Sequence, residues 1–239
     1  MIALHNVTKK FGELVAVNNL SFTVEQGQVF GIAGPNGAGK STIYNLISGV
    51  YPFDGRIEFD GRDISGLQPH RISKLGIART FQIPTTFPSL TVEESIGVGN
   101  RFGAEGDFDR AYVDDIIGFL ALEAVRDCLT GQLSLLDKKK LMMGAALATQ
   151  PKVLMLDEPM AGSNAAEIMD LMDIIRRINT ERAVTIIIIE HFMKVLTELT
   201  ETLLIIETGT EICCGDPQIV TNDPRVIESY LGDAYASDN

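Results

Sequence analysis

Residues 34–42 read Gly-Pro-Asn-Gly-Ala-Gly-Lys-Ser-Thr. Gly34, Gly39, Lys40 and Ser41 meet the spacing of a phosphate loop, G-x-x-x-x-G-K-[ST]. Asn36, Gly37 and Ala38 form the middle of that loop, and Thr42 follows it. Glycine lets the backbone curl and turn its N–H groups inward. Those groups, with a helix N-terminus behind them, make a pocket for phosphate oxygens. Lys40 has the reach for β- and γ-phosphates, and the Ser41 hydroxyl suits Mg²⁺. The alternative, a chance glycine turn, lacks the flanks the motif needs. Here Gln28–Ala33 is mostly apolar after turn residues, as a buried strand is, and Ile43, Leu46 and Ile47 recur at helical spacing.

Two further clusters could act on a bound triphosphate. Val153–Leu156 is an apolar run that ends in Asp157 and Glu158. An acid at such a strand end can hold the Mg²⁺ shell, which suits Asp157. Glu158 can polarise an attacking water as general base. An ordinary acidic turn after a strand would look the same, but the phosphate loop upstream outweighs that reading. His191 follows the strand that starts at Val184, and ligands gather at the carboxyl ends of such strands. Taken alone, a histidine there is more often structural. Gln82 follows a strand expected at 76–81, and by itself it carries no role.

The elements that must hold these residues follow from pattern. Ile2–Phe11 and Leu20–Val24 are strand-like, 25–28 is a turn, and Gly55–Phe59 is a short strand. A short helix is expected at 68–74. Helical patterns cover 91–99, 109–122 and 137–149, divided by turn-rich pieces at 101–107 and 130–134. After residue 150, strands at 153–156 and 184–189 alternate with helices. One helix carries Ile168, Leu171, Met172, Ile175 and Ile178 on its core face, with Asn164 and Glu167 as a capping pair. A second carries Phe192, Val195, Leu196 and Leu199. Such alternation implies a parallel sheet. The expected organisation is a nucleotide-binding α/β core from 1–87 and 149–239, interrupted by a helical subdomain at 88–148.

Composition limits the remaining possibilities. The 239 residues suit one large domain or two small lobes, and 45% hydrophobic residues supply ample core. No apolar run approaches the ~18 residues that suggest a membrane span. The N-terminal residues lack the order of a secretory signal. Three cysteines, two of them adjacent, make no disulfide framework and read as reduced thiols of a cytosolic protein. A net charge of −12 argues against broad affinity for nucleic acid or anionic lipid. Any membrane link is therefore expected through a protein partner.

In order, the chain carries GPNGAGKST, ARTFQ at 78–82, LSLLD at 133–137, VLMLDEP at 153–159, AGSN at 161–164 and IIIEH at 187–191. In this it resembles the ATP-binding subunits of ABC transporters, over essentially its full length. ARTFQIPTTFPSLTVEES, DEPMAGSN and the ending DPRVIESYLG are similar to the branched-chain amino acid importers of that family. The resemblance implies a P-loop NTPase core with a mainly parallel sheet, an N-terminal antiparallel β part and a helical insert. It implies ATP hydrolysis with Mg²⁺, coupled to transport, on the inner face of the cell membrane, with no lipid insertion. Permease subunits and a second ATP-binding subunit, identical or different, are the implied partners.

The same resemblance assigns roles by position. Phe11 stacks on adenine, Gln82 touches Mg²⁺ or its water, and His191 bonds the γ-phosphate and positions Glu158. Ser134 belongs to the signature segment, which faces the nucleotide of the partner subunit, and the 161–164 turn crosses the interface. The family signature is LSGGQ, whereas this chain has leucine at 135 and 136 and aspartate at 137. Side chains there crowd an approach that glycine leaves open. Lys138, Lys139 and Lys140 either offset the Asp137 charge or form a solvated helix face. Ser163 stands where related chains carry leucine. A weakened signature, and unequal composite sites beside a different partner, are therefore expected. Two other classes fit the same engine: a soluble ATPase of protein assembly or repair, and a subunit that binds ATP and scarcely hydrolyses it.

Overall fold

The computed structural model describes residues 1–103 and 108–236. The chain begins with β1 (Ile2–Phe11), β2 (Leu14–Val24), β3 (Val29–Ala33), α1 (Lys40–Ile47), β4 (Asp54–Phe59), β5 (Arg62–Asp63) and α2 (Pro69–Leu75). Then come β6 (Ile77–Arg79), α3 (Val92–Phe102), α4 (Arg110–Phe119), α5 (Leu135–Leu147), β7 (Val153–Asp157) and α6 (Ala165–Arg182). It closes with β8 (Thr185–Ile189), α7 (Met193–Leu199), β9 (Thr202–Glu207), β10 (Thr210–Gly215), α8 (Pro217–Val220) and α9 (Pro224–Ala236). Contacts divide it into two units, residues 1–72 with 185–239, and residues 73–184.

The first unit holds two layers of strands. One is antiparallel, in the order β2-β1-β4-β5, with Ile2 opposite both Val24 and Phe59. In the other the order is β10-β9-β3-β8. There β3 runs parallel to both neighbours, with Ile32 opposite Ile189 and Leu204. Every residue of β3 and β8 is buried, which explains why both read as continuous apolar runs rather than alternating ones. Helix α1 is anchored to β8: the Tyr44 hydroxyl, fully buried, donates to the Ile187 carbonyl at 2.7 Å.

In the second unit β6 and β7 pair in parallel, Ile77 opposite Val153 and Arg79 opposite Met155. Of the unit's helices, α5 packs on β6, and α3 packs on α4 and α5. Helix α3 starts with a reciprocal cap between Thr91 and Glu94, and α6 starts with the expected one between Asn164 and Glu167. Leu171, Met172, Ile175 and Ile178 of α6 are buried, while Ile168 is half-buried.

The mixed α/β architecture, with its antiparallel part, parallel strands and helical stretch, is the one the sequence leads to expect. The boundaries move, however. The strand expected at 76–81 stops at Arg79, because the chain leaves β7 there, with the Thr80 N–H still bonded to Met155 and its hydroxyl accepting from the Asp157 N–H. The helix expected from 137 begins at Leu135, since Ser134 caps it. Strand β2 starts six residues early, and β9 and β10 have no counterpart in the expected elements. In the turn-rich piece at 101–107, Arg101 and Phe102 belong to α3, and 104–107 lie outside the described residues.

Candidate active site

The phosphate loop leaves β3 at its carboxyl end and enters α1 at Lys40. Two of its glycines are required by the fold. Gly34 has φ +153°, and a Cβ there would sit 2.0 Å from the Ile206 carbonyl oxygen. Gly39 has φ +104°, and its Cβ would sit 2.3 Å from the Ala16 oxygen. Both positions combine left-handed backbone with contact against another segment, so any side chain is excluded. The loop is braced from elsewhere in the unit. The Gly209 N–H donates to the Ala38 carbonyl at 2.9 Å, and the Gly209 carbonyl accepts from Asn18 N–H at 2.8 Å.

Helix α1 begins with no side-chain cap and no acid in its first turn. Helices α3, α5 and α6 all have side-chain caps and first-turn acids. The difference matters, because an uncapped N-terminus keeps its amides and positive dipole end for an anion. Lys40 is buried, and its ammonium donates to the carbonyls of Gly34 at 2.6 Å and Pro35 at 2.9 Å. Asn36, Gly37 and Ser41 are exposed, Thr42 is half-buried and Ala38 is buried. His191 lies two residues past β8, exposed, with its backbone N–H bonded to the Glu190 carboxylate at 3.2 Å. Because β8 is the direct parallel neighbour of β3, the loop and His191 emerge from the same end of this sheet. Phe11 ends β1, exposed, with its ring edge-on to Tyr51.

The second unit brings Gln82, Asp157 and Glu158 together in the same way. Asp157 is the last residue of β7, Glu158 follows it, and Gln82 lies beyond the carboxyl end of the adjacent parallel strand β6. The Gln82 side-chain amide donates to the Glu158 carboxylate at 2.5 Å. Asp157 is buried and paired with Arg79 at 2.8 Å. Glu158 has φ +47°, a left-handed conformation that is uncommon outside glycine, asparagine and aspartate and that clusters at functional sites. Neither the Arg79 pairing nor this backbone conformation shows in the sequence. Arg79 and Asp157 meet only through the β6–β7 register, although Arg79 lies within the ARTFQ string.

Ser134 sits at the N-cap of α5 and is engaged within its own chain. It accepts from the Asp137 N–H at 3.1 Å and donates to the Asp137 carboxylate at 2.7 Å. Of the three lysines that follow, Lys139 does not lie on a solvated face. It is buried, and its ammonium donates to the Ala161 carbonyl at 2.5 Å and the Ser163 hydroxyl at 2.7 Å. The start of α5 is thereby tied to the turn after Glu158.

Each unit carries oxygen donors of the type that a magnesium nucleotide uses. Among the described residues no group of three or more His, Cys, Asp or Glu side chains stands ready to hold a metal. Mg²⁺ in such sites takes one or two protein oxygens and fills its shell with substrate phosphates and water. In the first unit Ser41 offers a hydroxyl, and in the second Asp157 and Gln82 offer a carboxylate and an amide oxygen, all hard oxygen donors of that kind.

Comparison with known proteins gives a consistent result. Residues 17–161 match the family model of the ABC transporter, and residues 211–236 match that of the branched-chain amino acid ATP-binding cassette transporter. The chain is 33% identical to the high-affinity branched-chain amino acid transport ATP-binding protein BraF of Pseudomonas aeruginosa, covering 98% of each. It is 31% identical, with the same coverage, to the corresponding protein LivG of Escherichia coli K12. A crystal structure of the ADP conformation of an ATP-binding cassette of an ABC transporter superposes with a TM-score of 0.89 at 31% identity, covering 97% of this chain and 98% of that one. A nucleotide-free cassette gives 0.85, also at 31% identity, with 96% and 98% covered.

Proposed function

This chain belongs to the ATP-binding subunit family of ABC transporters, and from that premise we propose that it energises an importer of branched-chain amino acids. It is an ATPase subunit, and cassettes of this family work with membrane-spanning permeases. The amino-acid substrate rests on the names of the relatives and on the C-terminal family match. Among the described residues no helix is long and apolar enough to cross a membrane. The subunit then acts from the inner face, held there by its permease. Exposed Phe81, Ile83, Phe87, Phe102, Phe108 and Leu129 in the second unit support a docking surface on that unit.

The observation that carries this reading is the uncapped start of α1, with buried Lys40 folded back under a glycine loop. In the proposed mechanism the loop amides and Lys40 hold the triphosphate by charge-assisted hydrogen bonds. Ser41, Asp157 and Gln82 would hold Mg²⁺, which when bound neutralises developing charge on the phosphates. Glu158 takes a proton from the attacking water, and His191 donates to the γ-phosphate and orients that carboxylate. The 2.5 Å bond from Gln82 to Glu158 fixes the base while it waits. A second ATP-binding subunit completes each site in this reading. The engagement of Ser134 by Asp137, beside Leu135 and Leu136, supports a weak signature on this chain's side.

The test is Glu158→Gln. Turnover by the assembled transporter should fall by at least about 100-fold, the scale of losing a general base. MgATP affinity should persist. Turnover unchanged by the substitution, or a wild-type chain with no MgATP affinity, would refute the assignment.

A further inference from the structure

We infer that Lys139 is a positioning residue for the general base, acting on Glu158 through the turn that follows it. This role depends on Glu158 taking the proton, as proposed above, and adds a residue that lies outside the motif strings of the chain. Hydrogen bonds within the second unit lead from one residue to the other. The Glu158 carbonyl accepts from the Ala161 N–H at 3.2 Å. The Ala161 carbonyl in turn accepts from the Lys139 ammonium at 2.5 Å, and the Ser163 hydroxyl accepts from the same ammonium at 2.7 Å. The Ser163 N–H closes the turn by donating to the Met160 carbonyl at 3.0 Å. Lys139 is only 3% exposed, so its bonds are charge-assisted and poorly screened by water.

Leu135 reinforces the same contact. It stands one turn before Lys139 on α5, so the two side chains share a face of that helix. A Leu135 methyl lies 3.3 Å from where a Cβ on Gly162 would be. Helix α5 thus holds Ala161, Gly162 and Ser163 in succession. Leu135 and Ser163 both depart from the family pattern, and both departures fall on this contact. The base needs such support. Its torsion of φ +47° costs free energy and persists only where the surroundings impose it. Gln82 fixes the carboxylate at 2.5 Å, while Lys139 fixes the backbone behind it. Lys139, Gln82 and Glu158 also wall one small cavity, so the link and the base border the same space.

The experiment follows ATP turnover by the assembled transporter carrying Lys139→Met, Lys139→Arg or Ser163→Ala. A base misplaced by about 1 Å can lose about 100-fold in rate. In Lys139→Met, kcat should fall by about tenfold to 100-fold, with KM for MgATP within about twofold of the wild type. Lys139→Arg keeps a buried cation that can donate to both acceptors, and it should recover most of that loss. Ser163→Ala should lower kcat by about threefold, the scale of one hydrogen bond. In a Glu158→Gln background, Lys139→Met should lower the residual turnover no further, because no base is left to place. A further fall there assigns Lys139 to the fold alone and refutes the positioning role. Wild-type kcat in Lys139→Met refutes it as well. Wild-type turnover in Glu158→Gln is a separate result, which overturns the base itself rather than the link to it. Should Lys139→Met fail to fold, Ser163→Ala, at a half-buried turn position, decides the matter by the same two comparisons.

Discussion

A glycine in the phosphate loop is where chemistry and fold impose the same demand. Gly39 stands at φ +104° with the Ala16 oxygen 2.3 Å from where a Cβ would be. Gly39→Ala must shift either the loop or β2, since the obstruction is backbone. The expected cost is about 2 kcal/mol or more in urea unfolding, with MgATP affinity lost at the same time. A variant of wild-type stability that still binds ATP would show that the loop can relax. Glu158 carries strain of a similar kind at φ +47° without being glycine. At this scale the spacing of the loop glycines was legible in the sequence, whereas the left-handed torsion of Glu158 was not. Spacing reveals which side chains are present, not which backbone torsions tertiary contacts impose.

Between elements, buried polar links do work that apolar patterning cannot reveal. Lys139 joins α5 to the turn after β7 through Ala161 and Ser163. Lys139→Met leaves a carbonyl and a hydroxyl without this donor, and should destabilise the chain by about 1–3 kcal/mol in denaturant titration. Ser163→Ala should cost only about 1 kcal/mol, because the carbonyl keeps its partner. Equal, negligible costs would mean that water replaces the lysine. At the other end of the chain, Asp223 precedes α9, and Arg225 holds its carboxyl down to about 2, by its side chain first and its backbone N–H second. A carboxyl depressed in the fold stabilises above its unfolded value of 3.8, and that stabilisation is lost as pH falls towards 2. Asp223→Asn should therefore flatten the acid limb of the stability profile between about pH 4 and 2. An unchanged limb would assign acid sensitivity to other carboxylates.

The helices and central strands were legible because their apolar residues recur with helical period or run unbroken through buried strands. The β9–β10 hairpin was not. Its two-residue turn is Thr208-Gly209, with φ of +47° and +78°. Such a turn is usually announced by Asn-Gly or Asp-Gly, and threonine in that position hides it. The Arg79–Asp157 and Lys139–Ser163 links escaped for another reason. Their partners are far apart in sequence, and only strand register and helix placement bring them together.

At the scale of the whole molecule, charge and exposed apolar surface divide the labour. A net charge of −12 disfavours anionic lipid surfaces, and the proposed permease contact draws on exposed apolar side chains. Phe87→Asp and Phe102→Asp, at side chains exposed by 60% and 73%, should abolish copurification with a permease while MgATP affinity persists. Retained copurification in both would move the docking surface elsewhere. The order of synthesis also matters. The phosphate loop near residue 40 is braced by Gly209, and β3 is flanked by β8 and β9. A nascent chain therefore emerges from the ribosome with its nucleotide motif complete in letters and without its supports. Until β8, β9 and Gly209 have been made, the loop lacks these supports, so the site is completed late in synthesis.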